Sequence, residues 1–261
     1  KINKIIGCKA IKDFNLKDNA ALCSLLDQNN LKRKITIEDL GFLIGPIINS
    51  GGRLNYPNYS VELLSSDDQN IIKDKSIKLI KLNEKRKKIE QNILAELNFK
   101  KIKKENKNVI IHYNNSLNEG LIGIIAARLK DHFNKPAIVI TKSNDILKAS
   151  ARSTPVYNIG KLIKQLIDKK IIISGGGHNM AAGFTILKEK IKLLDNFIQN
   201  DYSKKVTRSN ISSIYEMNIS TSAINKHFMN NLNKLGPFGN YNCLPTFLIK
   251  DVKIIKTNII N

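Results

Sequence analysis

The chain has 261 residues, of which 43 are Lys or Arg and 22 are Asp or Glu, so its formal net charge is +21. Hydrophobic residues make up 42% of it, a fraction that supports a folded core and excludes an intrinsically disordered basic protein. No apolar run approaches the roughly 20 residues that span a bilayer, so we expect no membrane partner. The three cysteines form no CxxC pair, which argues against a disulfide framework or a cysteine-based zinc site and is typical of a cytoplasmic protein.

The positive charge has two explanations, and the sequence leaves both open. Lys and Arg bind polyanions because they release the counterions condensed on phosphates. However, all but six of the 43 basic residues are lysine, and the chain is also rich in Ile and Asn. These three residue types share AT-rich codons, so the lysine excess also fits a compositional bias. An arginine in such a chain is then informative, because its guanidinium offers a bidentate fork that lysine lacks.

The first part of the chain is predicted to be helical. Apolar residues recur at near-helical spacing through residues 1–48, and Thr36 is a suitable N-cap for the stretch 37–44. Pro46 is expected to interrupt this helix, and residues 49–53, Asn-Ser-Gly-Gly-Arg, are expected to form a polar loop.

A long helix is predicted next, after a short helical stretch near residues 61–64. It runs from Asn70 to about Lys103, contains no Gly or Pro, and carries a narrow apolar stripe. Such a helix is a natural connector between two domains, and the charged run at residues 84–88 is interpreted as its solvated face.

Residues 106–200 alternate between short strand-like and helix-like stretches. The predicted strands are 109–113, 136–140, 147–152, 171–174 and 181–187, and the predicted helices are 121–133, 159–167 and 188–198. This alternation predicts an α/β domain with a mixed sheet. After Asp201 a linker is expected, followed by strands at 211–219 and 246–256 with a helix near 223–232.

A glycine-rich motif at residues 174–183 is the strongest local signal for a binding site. Three glycines follow a predicted strand and precede His178, and small residues come soon after. Backbone N–H groups at Gly176 and Gly177 could approach an anion, and His178 could donate to a phosphate oxygen. The alternative is a tight turn with a surface histidine.

Two further motifs are weaker and involve arginine. Ser150 and Arg152 end a predicted strand, where a hydroxyl and a guanidinium could share one phosphate. Arg53 ends the expected Gly-Gly-Arg loop and could reach an anion from there. A solvated strand end and a structural turn are the respective alternatives.

Nothing in the sequence resembles a metal site. The four histidines are scattered, there is no HExxH motif, and the acidic pair Asp67–Asp68 is better explained as a helix cap. The sequence therefore predicts no catalytic and no metal-binding residue in this chain.

Taken in this order, the motifs resemble the RecJ family, the single-stranded-DNA-specific exonucleases of the DHH phosphoesterase superfamily. The similar stretches are 39–46, 48–53, 82–86, 120–129, 135–137, 150–153, 176–183 and 235–239. The resemblance implies an α/β protein of four parts: the helical end of a DHH domain (1–69), a connecting helix (70–104), a mixed-sheet DHH-associated domain (105–200) and the start of an OB-fold (201–261).

The resemblance also implies a function, a 5′–3′ exonuclease on single-stranded DNA in repair and recombination. The residues that would hold the terminal phosphate and its nucleotide are Arg53, Ser150, Arg152, Gly176, Gly177 and His178. The family's Asp-His-His motif, which binds Mn²⁺ or Mg²⁺, is missing, so we expect the metal ligands upstream of Lys1 and a chain that is inactive alone. Ile47 stands where the family usually has Arg, and Ala151 where Gly is common.

Two alternatives to this function remain open. One is a DHH-superfamily phosphodiesterase for short oligonucleotides or cyclic dinucleotides, and the other is a nucleic-acid-binding remnant without catalysis.

Overall fold

The computed structural model describes residues 2–13, 19–31, 33, 35–206, 215–239, 242–253 and 255–258. Its first part is helical, as predicted. The helices are α1 (Ile2–Asp13), α2 (Ala20–Gln28), a π-helix (Asp39–Ile44), α3 (Gly45–Arg53), α4 (Pro57–Ser65), α5 (Gln69–Glu96) and α6 (Phe99–Glu105). Apolar residues of α2 to α5 pack into one core, which includes Leu25, Ile47 and Leu79. No helix in the described part of the chain is both long and apolar enough to cross a membrane.

The expected loop at residues 49–53 is wrong, because these residues form the second half of α3. Pro46 lies in the first turn of α3, which continues directly from the π-helix, so the chain changes from π-helical to α-helical geometry there and the expected interruption is wrong. Ser50 is fully buried and its hydroxyl donates to the carbonyl of Leu79 at 3.0 Å. Arg53 is therefore held at the end of a packed helix.

The long helix α5 is confirmed as far as Glu96, but the predicted continuation to Lys103 is wrong. Helix α5 ends at its C-cap Leu97, and the Asn98 side chain accepts the Lys101 N–H at 2.9 Å, which caps the start of α6. A short polar side chain that caps a new helix competes with the backbone bonds that would continue the old one. The charged run at 84–88 is also not uniformly exposed, because Arg86 is 9% exposed.

The predicted mixed sheet is confirmed, with strand order β1-β2-β3-β5-β4. Its strands are β1 (Ile110–Tyr113), β2 (Ala137–Ser143), β3 (Ile146–Arg152), β4 (Ser174–Gly177) and β5 (Ala181–Ile186). The β1–β2 pair is parallel and the other pairs are antiparallel.

Helices cover the two faces of this sheet unequally. On one face, α7 (Ile122–Phe133) packs over Ala137 and Val139 of β2. On the other face, α8 (Ile159–Asp168) and α9 (Ile191–Lys205) bury residues of β2, β3 and β5. Beyond α7, the first face stays open over β3, β5 and β4.

The glycine-rich segment departs from its prediction. A strand was expected at 171–174, before the glycines, whereas β4 starts at Ser174 and the three glycines themselves form the edge strand. Ile171 and Ile172 are buried in the core before the strand begins.

The end of the chain is only partly as predicted. The linker expected after Asp201 begins later, because α9 continues to Lys205. A helix, α10 (Lys226–Lys234), lies between two short parallel strands, β6 (Met217–Asn218) and β7 (Phe247–Leu248). The predicted strands at 211–219 and 246–256 are thus much shorter in the described residues, and 211–214 and 254 lie outside them.

Candidate anion-binding cleft

A cleft of about 740 Å³ opens where the end of α3, the start of α7 and the uncovered face of the sheet meet. Arg53 lines it from α3, Gly123 from α7, and Ser150 and Arg152 from β3. The structure therefore brings together three of the six residues proposed from sequence, although about 100 positions of chain separate Arg53 from Arg152.

Arg53 is fixed by a close approach of two backbones. Its Nη1 donates to the carbonyl of Gly120 at 2.8 Å. A Cβ at Gly120 would collide with the Arg53 carbonyl oxygen and lie 2.9 Å from its Cα. Only glycine allows this contact, which seats the loop before α7 directly on the end of α3.

Ser150 and Arg152 lie on the same face of β3 because they are two residues apart. Arg152 Nη1 donates to Ser150 Oγ at 3.2 Å and to the carbonyl of Ala151 at 2.9 Å. A Cβ at Gly123 would lie 3.1 Å from both Arg152 Nη2 and Ser150 Oγ. Gly123 thus lets the guanidinium rest against the first turn of α7.

The cleft is electropositive and lacks an internal counterion for its arginines. Burial lowers the pKa of Arg152, and the Arg53 charge lowers it further. Burial also lowers the pKa of Arg53, the Arg86 charge lowers it further, and the Glu90 charge partly offsets both without forming an ion pair with Arg53. Among the described residues, neither Arg53 nor Arg152 forms an ion pair with a carboxylate. Two guanidiniums that repel each other without a counterion favour a bound anion.

Two further features of the cleft add to its electrostatics. Helix α7 has no side-chain N-cap, and Ile122 and Gly123 of its first turn line the cleft. The free N–H groups at such a helix start carry partial positive charge and bind anions. At the rim, Lys148 Nζ pairs with Glu119 at 2.9 Å, and this bond lowers the pKa of Glu119.

The other three proposed residues, Gly176, Gly177 and His178, lie beside the cleft and do not line it. The His178 N–H donates to the carbonyl of Ala181 at 2.8 Å, and Ala181 pairs with Arg152. This register puts His178 on the same sheet face as Arg152, two strand spacings or about 10 Å away. Gly176 also faces this side, with open space where a Cβ would project.

The cleft is also lined by Gly120, Gly123 and Lys148, which are not among the site residues predicted from the sequence. Their spacing carries a weak signal, since a glycine near the start of an apolar helix often permits a close approach. No group of three or more His, Cys, Asp or Glu side chains in the described ranges could hold a metal ion. In the cleft itself the only carboxylate is Glu119, which is already paired, so its residues do not fit a metal centre.

Comparisons with known proteins agree with this architecture. Residues 106–204 match the DHHA1 domain family, and residues 215–261 match the RecJ OB domain family. The chain is 32% identical over 177 residues to the single-stranded-DNA-specific exonuclease RecJ of Haemophilus influenzae, a match that covers 65% of this chain and 30% of that protein. It is 28% identical over 220 residues to RecJ of Bacillus subtilis, covering 82% of this chain and 28% of that protein.

A solved structure shares the fold. The crystal structure of RecJ in complex with Mn²⁺ from Thermus thermophilus superposes with a TM-score of 0.73 at 20% identity, covering 88% of this chain and 34% of that one. The chain thus spans about a third of the length of the proteins that it matches.

Proposed function

We propose that this RecJ-like chain supplies the substrate-binding wall of a single-stranded-DNA-specific 5′–3′ exonuclease, and that its cleft receives the 5′-terminal phosphate. In this role Arg53, Arg152 and Ser150 hold the phosphate. The first nucleotide lies on the open sheet face, along Gly176 and Gly177 and next to His178. The biological setting proposed with it is DNA repair and recombination in the cytoplasm. The division into four parts at 1–69, 70–104, 105–200 and 201–261 belongs to the same proposal.

The observation that carries the proposal is the convergence of Arg53 and Arg152 on one cleft without a carboxylate between them. A terminal phosphate monoester carries a charge of about −1.5 to −2 at pH 7, whereas an internal phosphodiester carries one negative charge. Two guanidiniums and a helix start therefore favour a strand end over the middle of a strand.

The rest of the strand has a surface to follow. Beyond Arg152 the same sheet face continues across β5 and β4, where Gly183 pairs with Gly176 and leaves room for a ligand. The RecJ OB match at residues 215–261 favours a long strand as the ligand, because OB-folds track single-stranded nucleic acids.

Hydrolysis needs groups that the described residues do not supply. We propose that the reaction uses Mn²⁺ or Mg²⁺, held by ligands outside this cleft, because the similar RecJ structures from Thermus thermophilus are complexes with these ions. The cleft residues act by binding and orientation: they fix the terminal phosphate and thereby place the adjacent phosphodiester.

The test is a binding titration with four ligands of matched sequence. A 5′-phosphorylated single strand should bind tightest, followed by the 5′-hydroxyl strand, and both should show a log–log salt slope of about −0.7 per neutralised phosphate. Equal affinity for a duplex would contradict single-strand specificity. Equal affinity for a 5′-phosphorylated dinucleotide would favour the short-oligonucleotide phosphodiesterase instead.

A further inference from the structure

A buried charge cluster lies behind the cleft, and it is centred on Glu90 of α5. Glu90 is 5% exposed and uses both carboxylate oxygens. Oε2 accepts from Arg86 Nη1 at 2.8 Å, and Oε1 accepts from Arg128 Nε of α7 at 2.6 Å. Arg86 is itself buried and donates from Nε to the Asn83 side chain at 3.1 Å. The cluster therefore joins the connecting helix to the helix that starts at the cleft.

This cluster is a poor candidate for a device that only stabilises the fold. Burying ions costs desolvation energy, and apolar residues of similar size often serve stability equally well. The core between α5 and α7 already contains such residues, among them Ile93 and Leu94 of α5 and Ile125 and Leu129 of α7. Apolar contact is not directional, however, and it does not fix how far α7 is turned or shifted along α5.

The position of α7 decides the geometry of the cleft. The residue two before its start, Gly120, rests on Arg53, and Gly123 in its first turn rests on Arg152. Arg53 in turn belongs to α3, which packs on α5 through the Ser50–Leu79 hydrogen bond. The positions of both arginines thus depend on α5, that of Arg53 through α3 and that of Arg152 through its contact with α7.

We propose that Glu90 is a positioning residue for the cleft, which fixes the register of α7 on α5 through Arg128 so that Arg53 and Arg152 address one anion. The inference rests on the proposed function. Electrostatics supports it independently of the packing: the Arg86 charge lowers the pKa of Arg53 and the Glu90 charge raises it, so Arg53 lies within the field of this pair.

The main test uses Arg128→Gln, because the Arg128 side chain is 58% exposed and its loss leaves the buried Arg86–Glu90 pair intact. The measured quantity is the ratio of the dissociation constants for 5′-hydroxyl and 5′-phosphorylated single strands. We expect this ratio to fall by about threefold, no more than removal of Arg152 itself would cause, because a displaced guanidinium loses only its charged hydrogen bond to the terminal phosphate. Affinity for the 5′-hydroxyl strand should change by less than about threefold.

The matched control is Lys130→Gln, which removes one positive charge from the same helix without touching Glu90. It should leave the ratio unchanged. Arg128→Lys keeps the charge and a single donor to Glu90, so it should recover most of the preference. Glu90→Gln should lower the ratio at least as much as Arg128→Gln, and circular dichroism establishes whether this variant is folded before its ratio is used.

The outcomes separate the two claims. If the unsubstituted chain does not prefer the 5′-phosphorylated strand, the proposed function fails and the inference fails with it. If the chain shows the preference and folded Arg128→Gln retains it, Glu90 has no positioning role and the proposed function stands. An equal loss of preference in Lys130→Gln also overturns the positioning role, because the effect is then one of net charge.

Discussion

Arg152→Ala provides the most direct test of the cleft, because this side chain is held by few contacts of its own. Among the residues that the structure describes, the guanidinium donates only from Nη1, to Ser150 Oγ at 3.2 Å and to the Ala151 carbonyl at 2.9 Å. A guanidinium has five N–H donors, so enough remain for a bidentate contact to a phosphate. Substitution by alanine removes this contact and leaves no buried partner of opposite charge behind.

The expected loss follows from the value of a hydrogen bond to a charged group, about 1.5–3 kcal/mol. The lower end applies here, because loss of Arg152 also relieves its repulsion with Arg53, which adds to burial in lowering the pKa of Arg152. A loss of about 1.5 kcal/mol weakens binding of the 5′-phosphorylated strand slightly more than tenfold. A strand with a 5′-hydroxyl can offer the cleft only an internal phosphodiester, which carries about half the charge of a terminal phosphate. Its binding should therefore weaken by roughly threefold in Arg152→Ala.

Fluorescence anisotropy with the two labelled strands measures both numbers under one set of conditions. Arg152→Lys should lie between the wild type and alanine, since it keeps the charge and loses the fork. Lys164→Ala is the matched control, because this exposed lysine belongs to α8 on the opposite face of the sheet. An equal loss for both strands in Arg152→Ala, or the same loss in Lys164→Ala, would refute a terminal-phosphate site.

Three more predictions follow from single features. Burial lowers the pKa of His112 below 6.5. The unfolded chain therefore binds more protons just below that pH, so the free energy of unfolding should fall as the pH drops. Thermal melts of His112→Gln should show a flatter pH dependence of stability, and an unchanged slope would contradict this. Gly120→Ala should destabilise the chain by about 1–3 kcal/mol and weaken phosphate binding, because the alanine Cβ would collide with the Arg53 backbone. Gly41→Ala should have neither effect, because the space around Gly41 is open. Denaturant titrations and binding assays measure the two effects. The chain alone should release no mononucleotides from 5′-phosphorylated DNA with Mn²⁺ or Mg²⁺, given the lack of a metal-binding group in its described part; metal-dependent release by a preparation free of other nucleases would disprove it.

Periodic apolar patterns predicted the elements that bury one continuous side. Strands β3 and β5 and helix α7 belong to this class, since the apolar residues of each face one core. An apolar pattern does not show where a helix ends. At the end of α5 the polar Asn98 side chain caps α6, and this bond competes with the backbone bonds that would continue α5 whether or not the apolar spacing persists.

The glycine-rich segments were misread for a physical reason. Glycine commonly signals a turn because it tolerates positive φ, yet none of the described glycines has a positive φ. Gly51 is needed because a Cβ would lie 2.8 Å from the Tyr56 carbonyl oxygen, and Gly175 because a Cβ would lie 2.7 Å from Phe184 Cβ. Gly51 thus makes room for the turn that follows its own helix and Gly175 for the adjacent strand β5, so both serve close packing and not a positive φ.

The arginines show what composition could predict and what it could not. In a chain where lysine dominates, each of the five described arginines uses its fork or its length in a defined contact. Arg33 donates to both oxygens of Asp39 at 2.7 and 2.8 Å, and the other four form the cleft or the charge cluster behind it. The sequence indicated that arginine is informative here, but it assigned Arg86 to a solvated face, since a charge run gives no sign of which member turns inward. The buried position of Arg86 can be recognised only once α5, α3 and α7 are assembled, because it lies where the connecting helix meets the helix that starts at the cleft.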